Sequence, residues 1–453
     1  MGSCRNGKRG GWKGIGVRVA IVSTYPPRPC GIAAFSADLR AALIARSSQA
    51  DVGIASIVRG DMEECPPEVM ITIRQDVLSD YAAAADVLSS QVDVVLIEHE
   101  FGIFGGVAGD FVLTLARRLS VPMVLTLHTV LSAPSVEQAS VLQALGEQAA
   151  IVTVFTETAR RMVAEGGLID PDVVTVVRHG APDLLAAVSR LAGGVDGRAR
   201  APQTVGITDQ TSAVLKRLEG RRVLATFGLI SASKGIEVAV EAMSSIVASH
   251  PDACYLIAGQ THPEVVKQDG ERYRVYLEQL VHDRGLTDHV FFLNRFLAVE
   301  ELAVLLARTD LYITPYPSRE QIVSGALTFA VAAGCAVVST PYFYAEDLLG
   351  SGAGVLVPFG DRAALAAAVI QLLSSPGRLA AARMEARRLG AELGWRNVGE
   401  ATAQTLASAV REDTASGGRS APAAIYSDHR LSLQDDGMTQ HADGGVLFEA
   451  LVT

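Results

Sequence analysis

Short apolar runs alternate with amphipathic stretches along most of this chain. Buried parallel strands give continuous apolar runs, whereas helices that cover a sheet repeat their apolar residues every three or four positions. The pattern predicts strands at 17–23, 93–99, 122–128, 149–155, 222–228, 253–259, 289–294, 310–316 and 335–340. It predicts helices that start near Gly31, that run through Arg118, and that span 235–248, 271–284, 299–308 and 321–333. Strands that alternate with helices indicate parallel βαβ units with right-handed crossovers.

The alternation is interrupted at 190–221 by a stretch rich in Gly, Arg and polar residues. Such a stretch is typical of a connection between domains. We therefore predict an α/β protein in which two Rossmann-like, doubly wound domains face a cleft. The predicted divisions are a flexible N-terminal tail (1–16), a first domain (17–190), the connection (191–221), a second domain (222–375), a terminal helical segment (376–410) and a polar, loosely held tail (411–453).

The composition fits two domains with large cores. The chain has 453 residues, of which 49% are hydrophobic and 19% are charged, and this length exceeds one core of ordinary size. The formal net charge of −10 argues against a nucleic-acid binder, because phosphate contacts need an excess of Lys and Arg. The five cysteines show no CxxC spacing. We therefore expect neither a zinc site nor disulfides, and we expect a cytoplasmic location.

Two features of the sequence bear on membranes. The N-terminal residues are basic and Gly-rich, and they lack the apolar core of a secretory signal. The longest apolar run, Val323 to Val338, is interrupted by Ser and Gly and is predicted to form a buried helix followed by a buried strand. We therefore expect no membrane span. A peripheral membrane contact stays open, as does the oligomeric state.

The turns that follow the predicted strands are the candidate sites, because ligands of open α/β sheets bind beyond the carboxyl ends of the strands. In the first domain, Gly31 begins a helix whose N–H groups could face an anion. His99, Glu100 and His128 follow two predicted strands, and a neutral imidazole can hydrogen-bond a sugar hydroxyl or carry a proton. An ordinary tight turn and structural histidines are the alternatives.

The second domain offers anion-binding chemistry at two turns. Gly228 lets the backbone approach a ligand, and Lys234 stands at the mouth of the next helix. A lysine beside a helix N-terminus suits a diphosphate and the charge that grows as it departs. Glu320 could hold sugar hydroxyls while the N–H groups of Ser324 and Gly325 contact phosphate. The alternatives are a solvated surface lysine and a carboxylate that caps a helix.

Other enzyme classes lack their signatures in the sequence. No GxGxxG follows the first predicted strand, no GxxxxGK[ST] is present, and no GxSxG marks a serine nucleophile. A dehydrogenase, an NTPase and a serine hydrolase therefore fit the sequence less well than a transferase that binds a diphosphate.

Several short motifs occur in a characteristic order. They are CGIAAF, EHEFGIFGG, TLHT, RHGAPD, FGLISASKG, IAGQTHPE, REQIVSGAL and STPYFYAEDLL…GAGVLVPFGD. In their order and spacing, over about residues 17–375, they resemble the family-4 retaining glycosyltransferases of the GT-B fold. The resemblance is closest to a branch that carries HEFGIFGG and EQxxSG.

The resemblance implies roles for individual residues. The implied catalytic residues are His128 beside the donor sugar, Lys234 on the diphosphate and Glu320 on the transferred sugar. The implied donor-binding residues are Gly31, Gly228, Lys234, Gly235, Gln260, Arg295, Phe296, Glu320, Ser324 and Gly325. The implied acceptor-binding residues are His99, Glu100 and Phe101. Neither a metal nor a further cofactor is implied.

Two positions depart from the family pattern. The second glutamate of the E-x7-E motif is absent, and Thr328 and Phe329 occupy the places where it could fall. Leu229 stands where an arginine usually follows the glycine of the phosphate turn, and Arg295 or Arg319 could compensate by charge.

The expected function is therefore a retaining transfer of a hexose. The donor would be a GDP-, UDP- or ADP-linked sugar, and the acceptor a saccharide, a lipid or a small molecule. The alternatives are a sugar phosphorylase of the same architecture, a catalytically inactive partner protein that binds a sugar or nucleotide, and, more distantly, a nucleotide-sugar epimerase.

Overall fold

The computed structural model describes residues 17–28, 30–46, 51–60, 65–191 and 207–415. The predicted tail at 1–16 and most of the predicted tail at 411–453 lie outside these ranges. Only residues 411–415 of that second tail are described, and they continue a helix.

Strands and helices alternate through both halves of the chain, as predicted. The strands are β1 (Arg18–Ser23), β2 (Asp51–Val58), β3 (Val69–Arg74), β4 (Val94–His99), β5 (Met123–Leu127), β6 (Ile151–Val154), β7 (Val174–Val176), β8 (Arg222–Phe227), β9 (Ala253–Ala258), β10 (Val290–Leu293), β11 (Leu311–Thr314), β12 (Ala336–Ser339) and β13 (Gly354–Leu356).

The helices of the first half are α1 (Gly31–Arg46), α2 (Leu78–Gln91), α3 (Val112–Arg118), α4 (Val136–Gln148), α5 (Glu157–Gly166) and α6 (Asp183–Leu191). Those of the second half are α7 (Asp209–Arg217), α8 (Ile236–Ser249), α9 (Pro263–Asp269), α10 (Arg272–Asp283), α11 (Val299–Ala307), α12 (Gly325–Ala332), α13 (Phe343–Leu349), α14 (Arg362–Leu373), α15 (Pro376–Leu393) and α16 (Trp395–Ala415).

Each half forms one parallel sheet. The first has the strand order β3-β2-β1-β4-β5-β6-β7, and the second has the order β10-β9-β8-β11-β12-β13. Within each sheet the strand order reverses beside the first strand of that half, between β1 and β4 and between β8 and β11. These are the switch points at which doubly wound sheets bind ligands. The prediction of two Rossmann-like domains is therefore confirmed.

Continuous apolar packing joins the two domains. One cluster of buried side chains covers a face of each sheet, from Phe35 and Leu96 in the first domain to Phe227 and Tyr312 in the second. Trp395 belongs to the same cluster. Separate clusters fill the opposite face of each sheet. Burial of the strands on both faces explains why they appear in the sequence as unbroken apolar runs.

The predicted terminal helical segment consists of two helices, and the second of them returns to the first domain. Gly399 of α16 packs against α1, where a Cβ would lie 2.9 Å from the Cβ of Ala42. The indole Nε1 of Trp395 donates to the Asp38 carboxylate (3.2 Å), and Arg46 forms an ion pair with Glu400. The last helix is therefore part of the first domain's surface.

The structure differs from the predicted elements in two respects. Four strands were not predicted, and three of them (β3, β7 and β13) lie at sheet edges, where short or alternating strands give a weak apolar signal. The predicted helix 321–333 begins only at Gly325. Residues 321–324 are not helical, and the side chain of Ile322 is buried in the apolar cluster of the first domain.

Within the described ranges, no single helix combines the length and apolar character that a membrane span requires. Helices α14 and α15 pass that test only as a pair, and they are bent by 98° where they meet.

Candidate functional site

The carboxyl ends of the two sheets meet through three sets of contacts between domains. Ser132, after β5, donates its N–H (3.3 Å) and its hydroxyl (2.9 Å) to the Glu320 carboxylate. Thr158 of α5 donates its N–H and hydroxyl to Asp347 of α13, each at 2.9 Å. The ring of His179, after β7, lies against the start of α12. Glu320 and Gly325, two of the predicted site residues, therefore lie where the two domains meet.

Two glycine turns of the second domain pack backbone against backbone. Gly228 has a φ of 123° and Gly259 a φ of 150°, values that favour glycine. A Cβ on Gly259 would lie 1.8 Å from the carbonyl oxygen of Gly228. Gly235 also has a positive φ, and a Cβ there would lie 2.2 Å from the carbonyl oxygen of Pro315. These contacts bring the ends of β8, β9 and β11 together.

Lys234 lies at the centre of this arrangement. Its side chain is only 4% exposed, and its Nζ donates to the Tyr316 hydroxyl at 2.9 Å. The Tyr316 hydroxyl in turn lies 3.5 Å from the hydroxyl of Ser324. Burial opposes ionisation of Tyr316, but the charge and hydrogen bond of Lys234, together with hydrogen bonds to Ser324 and Thr314, lower the pKa of the phenol. A buried lysine therefore lies beside the glycine turns. This position does not fit the alternative of a solvated surface lysine.

Ser324 and Gly325 form the N-terminus of α12. Ser324 is the N-cap residue, and its hydroxyl accepts from the N–H of Leu327 at 3.2 Å. Gly325 is the first helical residue, so its N–H lies at the positive end of the helix dipole. The side-chain contacts from Lys234 to Tyr316 and from Tyr316 to Ser324 connect this helix end to the lysine. We call Lys234, Tyr316, Ser324 and the N-terminus of α12 the anion cradle, because a lysine beside a helix N-terminus has the chemistry that suits an anion.

Glu320 belongs to the same loop but is placed differently. It is exposed, and its carboxylate accepts the two hydrogen bonds from Ser132 of the first domain. In this structure the carboxylate therefore joins the two domains at the edge of the site.

Arg295, which was expected to contact the donor, bonds to side chains of its own domain in this structure. Its guanidinium bonds to Glu301 and to the hydroxyls of Thr208 (2.8 Å) and Thr211 (2.7 Å). Burial alone would raise the pKa of Glu301, but the N–H of Thr208 and the Arg295 guanidinium, with both hydroxyls, lower it to about 2. Arg295 is thus committed to a buried ion pair that fixes α7 and α11.

The other expected nucleotide contacts have mixed positions. Phe296 is 66% exposed at the end of β10, where a base could stack on it. Gln260 is half-buried, and its carbonyl accepts from the N–H of Ile230 at 2.8 Å. Arg319, the second candidate for phosphate binding, pairs with Glu346 at 3.1 Å on the surface. Thr328 is fully buried and bonds to Tyr344 (2.6 Å), so it does not replace the missing glutamate.

His128 is held from inside the first domain. Its Nε2 lies 2.8 Å from a carboxylate oxygen of Glu98, and the side chains are 2% and 0% exposed. Phe35 of α1 and Phe155, after β6, present ring edges to the imidazole at centroid distances of 5.0 Å each. Gly31 begins α1, the helix that supplies Phe35. Glu98 was not among the predicted site residues, because a carboxylate inside a predicted strand gave no turn signal.

His99 and Phe101, two of the residues expected to contact an acceptor, have buried side chains. Side chains alternate along β4, so His99 points to the opposite face from Glu98 and Glu100. Its ring is fully buried against Phe101 and Phe104, and neither nitrogen has a hydrogen-bond partner among the described residues. Burial, and then the charge of His128, lowers its pKa to about 3. Both side chains belong to the core.

Glu100 is on the His128 side of the sheet, although it is also buried. It accepts a short hydrogen bond from the hydroxyl of Thr129. Burial raises the pKa of Glu100 to about 7, against the opposing effects of Thr129, His128 and the N–H groups of Phe101 and Gly102. A carboxyl group that changes its charge near neutral pH therefore lies beside the predicted catalytic histidine.

His179 was quoted within the RHGAPD motif but was not predicted as a site residue. A Cβ on Gly325 would lie 3.5 Å from its Cε1 and 3.6 Å from its Nε2. Its Nδ1 lies 2.8 Å from the carbonyl oxygen of Gly180 and donates to it. Burial, and then the charge of His128, lowers the pKa of His179 to about 3. A neutral ring whose Nε2 can accept therefore packs against the helix end of the anion cradle.

Comparison with known proteins identifies the class of this fold. Residues 208–389 match the family model "Glycosyl transferases group 1". A curated relative, the lipopolysaccharide core biosynthesis mannosyltransferase LpcC of Rhizobium leguminosarum bv. viciae, is 28% identical over 160 residues, which are 35% of this chain. The match spans 43% of that relative, less than half its length.

Solved structures of similar fold cover most of the chain. Anabaena Alr3699/HepE in complex with UDP has a TM-score of 0.63 at 16% identity, covering 86% of this chain and all of that one. A glycosyltransferase from Rickettsia africae ESF-5 has a TM-score of 0.67 at 14% identity, with coverage of 87% and 99%. Sucrose-phosphate synthase from Thermosynechococcus elongatus has a TM-score of 0.64 at 18% identity, with coverage of 88% and 100%.

At these identities the structures establish the fold. The two sheets, their order and the interleaved helices are those of the GT-B glycosyltransferases. The family match lies on the second domain and on α15, which is the part of the chain that carries Lys234, Glu320 and α12.

Proposed function

We propose that this protein is a retaining glycosyltransferase of family 4 that transfers a hexose from a nucleotide-diphosphate sugar to a saccharide, lipid or small-molecule acceptor. The second domain would bind the donor, and the first would present the acceptor. The family match of the second domain supports the transferase class. The sugar, the base and the retaining outcome are parts of the proposal.

The chain of contacts from Lys234 through Tyr316 to Ser324 carries this proposal. A buried ammonium is costly unless anionic or hydrogen-bonding groups surround it, and here it lies beside glycine turns and a helix N-terminus. These groups suit a diphosphate in the ground state. They suit it better as the bond to the sugar breaks, because the leaving diphosphate then gains charge.

The names of the similar proteins suggest which donor sugars to test first. HepE was solved with UDP, with UDP and glucose, and with UDP-glucose, and LpcC is named a mannosyltransferase. We therefore propose UDP-, GDP- and ADP-linked glucose and mannose as the first panel. We also propose that the reaction needs no metal, which unchanged turnover in EDTA would support, and that the protein is cytoplasmic.

One observation favours an inactive binding protein as the second candidate. The position of the second glutamate is Thr328, which is buried and bonded to Tyr344. In addition, the Glu320 carboxylate is bonded to Ser132. A protein of this kind would bind a nucleotide sugar and release no nucleoside diphosphate from it.

The Lys234→Ala variant tests the assignment. We expect it to lower kcat by about 100- to 1000-fold, as the loss of one preorganised donor to a developing anion does. Release of nucleoside diphosphate from each donor, with and without candidate acceptors, measures turnover. Lys216→Ala is the matched control, because Lys216 is exposed on α7, and it should leave kcat unchanged.

Three outcomes would contradict the proposal. Full turnover by Lys234→Ala would remove the lysine from the site. Sugar-phosphate formation from an oligosaccharide and inorganic phosphate would indicate the phosphorylase. A thermal shift with nucleotide sugars but no turnover would indicate the inactive binding protein.

A further inference from the structure

We infer that Glu98 is a positioning residue that fixes which nitrogen of His128 faces the reacting sugar. This inference rests on the proposed function, because His128 acts on a sugar only if the protein is a transferase. It adds a residue of the first domain that does not itself touch the substrate.

The geometry of the pair is set by neighbouring strands. Glu98 of β4 is in register with Thr126 of β5, and His128 follows two residues later. The N–H of His128 donates to the carbonyl oxygen of His99 at 2.9 Å, which fixes the backbone beyond the strand end. The Glu98 carboxylate then meets Nε2 of the ring at 2.8 Å. Both partners are therefore held by the sheet itself.

Aromatic contacts restrict the imidazole plane but do not distinguish its nitrogens. Phe35 approaches it at an interplanar angle of 90° and Phe155 at 67°. Such contacts allow a ring to be turned over by 180°, because both orientations have the same outline. A hydrogen bond to one nitrogen makes the two orientations different. Since a carboxylate oxygen only accepts, Glu98 favours a proton on Nε2 and leaves Nδ1 to accept from a sugar hydroxyl.

The surroundings of Glu98 argue against a purely structural role. Its second carboxylate oxygen is buried and has no hydrogen-bond partner among the described residues. Leu96, Val124 and Phe155 line the same small cavity, together with Thr126, Thr153 and Arg178. A buried carboxylate with one oxygen unbonded is destabilising relative to an apolar or amide side chain of similar size. The fold therefore keeps a carboxylate where stability alone would disfavour it.

A double-mutant cycle separates positioning from structure. Glu98→Gln has nearly the same shape but removes the charge that selects the Nε2 proton. We expect it to lower kcat about 10- to 100-fold, by analogy with residues that orient metal-binding histidines. The KM for the donor should change less than about threefold. In a His128→Ala background, Glu98→Gln should cost less than about threefold in kcat, because its effect passes through the ring.

Two further measurements do not depend on turnover. Thermal unfolding of Glu98→Gln should occur at the wild-type temperature or above, and Glu219→Gln, an exposed glutamate, serves as the control in every assay. The nitrogen-15 spectrum of the His128 ring, assigned with the His128→Ala variant, should show the proton on Nε2 in the wild type and a mixture of tautomers in Glu98→Gln.

Each contrary result has a distinct meaning. The positioning role would be overturned by any of three results. The first is a wild-type kcat in Glu98→Gln, and the second is an equal loss of kcat with and without His128. The third is a wild-type ring whose proton is on Nδ1. A clear drop in the unfolding temperature of Glu98→Gln would show that the carboxylate is structural. If the wild type transfers no sugar, the proposed function fails, and the ring spectrum still decides whether Glu98 selects the tautomer.

Discussion

Replacing His99 with leucine tests the reassignment of this residue from acceptor site to core. The imidazole is fully buried, stacked on Phe104 at 5.8 Å and edge-on to Phe101 at 4.9 Å. Neither ring nitrogen has a hydrogen-bond partner within the described part of the chain. Leucine has a similar volume and no polar atoms, so His99→Leu should be about as stable as the wild type at pH 8, or more stable by about 1 kcal/mol.

The pH dependence of stability gives the size of the effect. The pKa of His99 is lowered from 6.5 to about 3 by burial and by His128. The unfolded chain therefore takes up a proton below pH 6.5 that the folded protein refuses, and stability is lost as the pH falls from 6.5 towards 3. Between pH 8 and pH 5 this loss is about 2 kcal/mol for one histidine. In a domain of this size, it corresponds to about 4–8 °C in unfolding temperature.

Thermal unfolding followed by circular dichroism at pH 8 and pH 5 measures this difference. His99→Leu should lose about 4–8 °C less than the wild type over this interval, because the contribution of His99 is gone. His179, whose pKa is lowered for the same reason, still contributes a loss in the variant. His282→Leu, an exposed histidine of α10, should keep the wild-type pH dependence. Sugar transfer by His99→Leu should stay within about threefold of wild type. An unchanged pH dependence, or a loss of transfer with intact stability, would refute the placement of His99 in the core.

Two further substitutions test the interactions around the site. Arg295→Ala leaves Glu301 buried without its cationic partner. We therefore expect the free energy of unfolding, measured in urea, to fall by about 3–5 kcal/mol. A fall below about 1 kcal/mol would show that the ion pair is not structural and would favour a phosphate-binding role for Arg295. Ser132→Ala removes the hydroxyl that donates to the Glu320 carboxylate. If the donor sugar competes for that carboxylate, the donor KM should fall by up to about fivefold. A higher KM would show instead that Ser132 supports the sugar site.

The sequence could predict the fold because both sheets are buried on each face. Apolar runs such as those of β1, β4, β8 and β11 are typical of strands covered by helices on both sides, and the strand-helix alternation then determines the class. The strands that it did not show were mostly at sheet edges. The return of α16 to the first domain was also beyond prediction, since it depends on Gly399 meeting Ala42 and on Trp395 entering a core shared by both domains.

The anion cradle could be predicted in part because its members follow local rules. Gly228, Lys234 and Ser324 lie in turns directly after strands or at a helix start, where sequence signals are specific. The burial of His99 was not predicted, because the same rule says nothing about which face a side chain takes at a strand end. Glu98 lies one residue earlier on β4, and the opposite face placed it beside His128. A shift of one position along β4 thus separates the buried His99 from the carboxylate that is bonded to His128.

Glu320 shows why sequence reasoning weakens where two domains meet. A helix was predicted from residue 321, which would have put Glu320 at its N-terminus as a capping charge or a sugar ligand. Instead, residues 321–324 are not helical, and Ile322 is buried in the first domain's core. That insertion carries the Glu320 carboxylate to Ser132. The Tyr316 hydroxyl that accepts from Lys234 belongs to the second domain, whereas the Ser132 groups that donate to Glu320 belong to the first. Separation of the domains would therefore break the hydrogen bonds from Ser132 to the Glu320 carboxylate and keep the one from Lys234 to Tyr316.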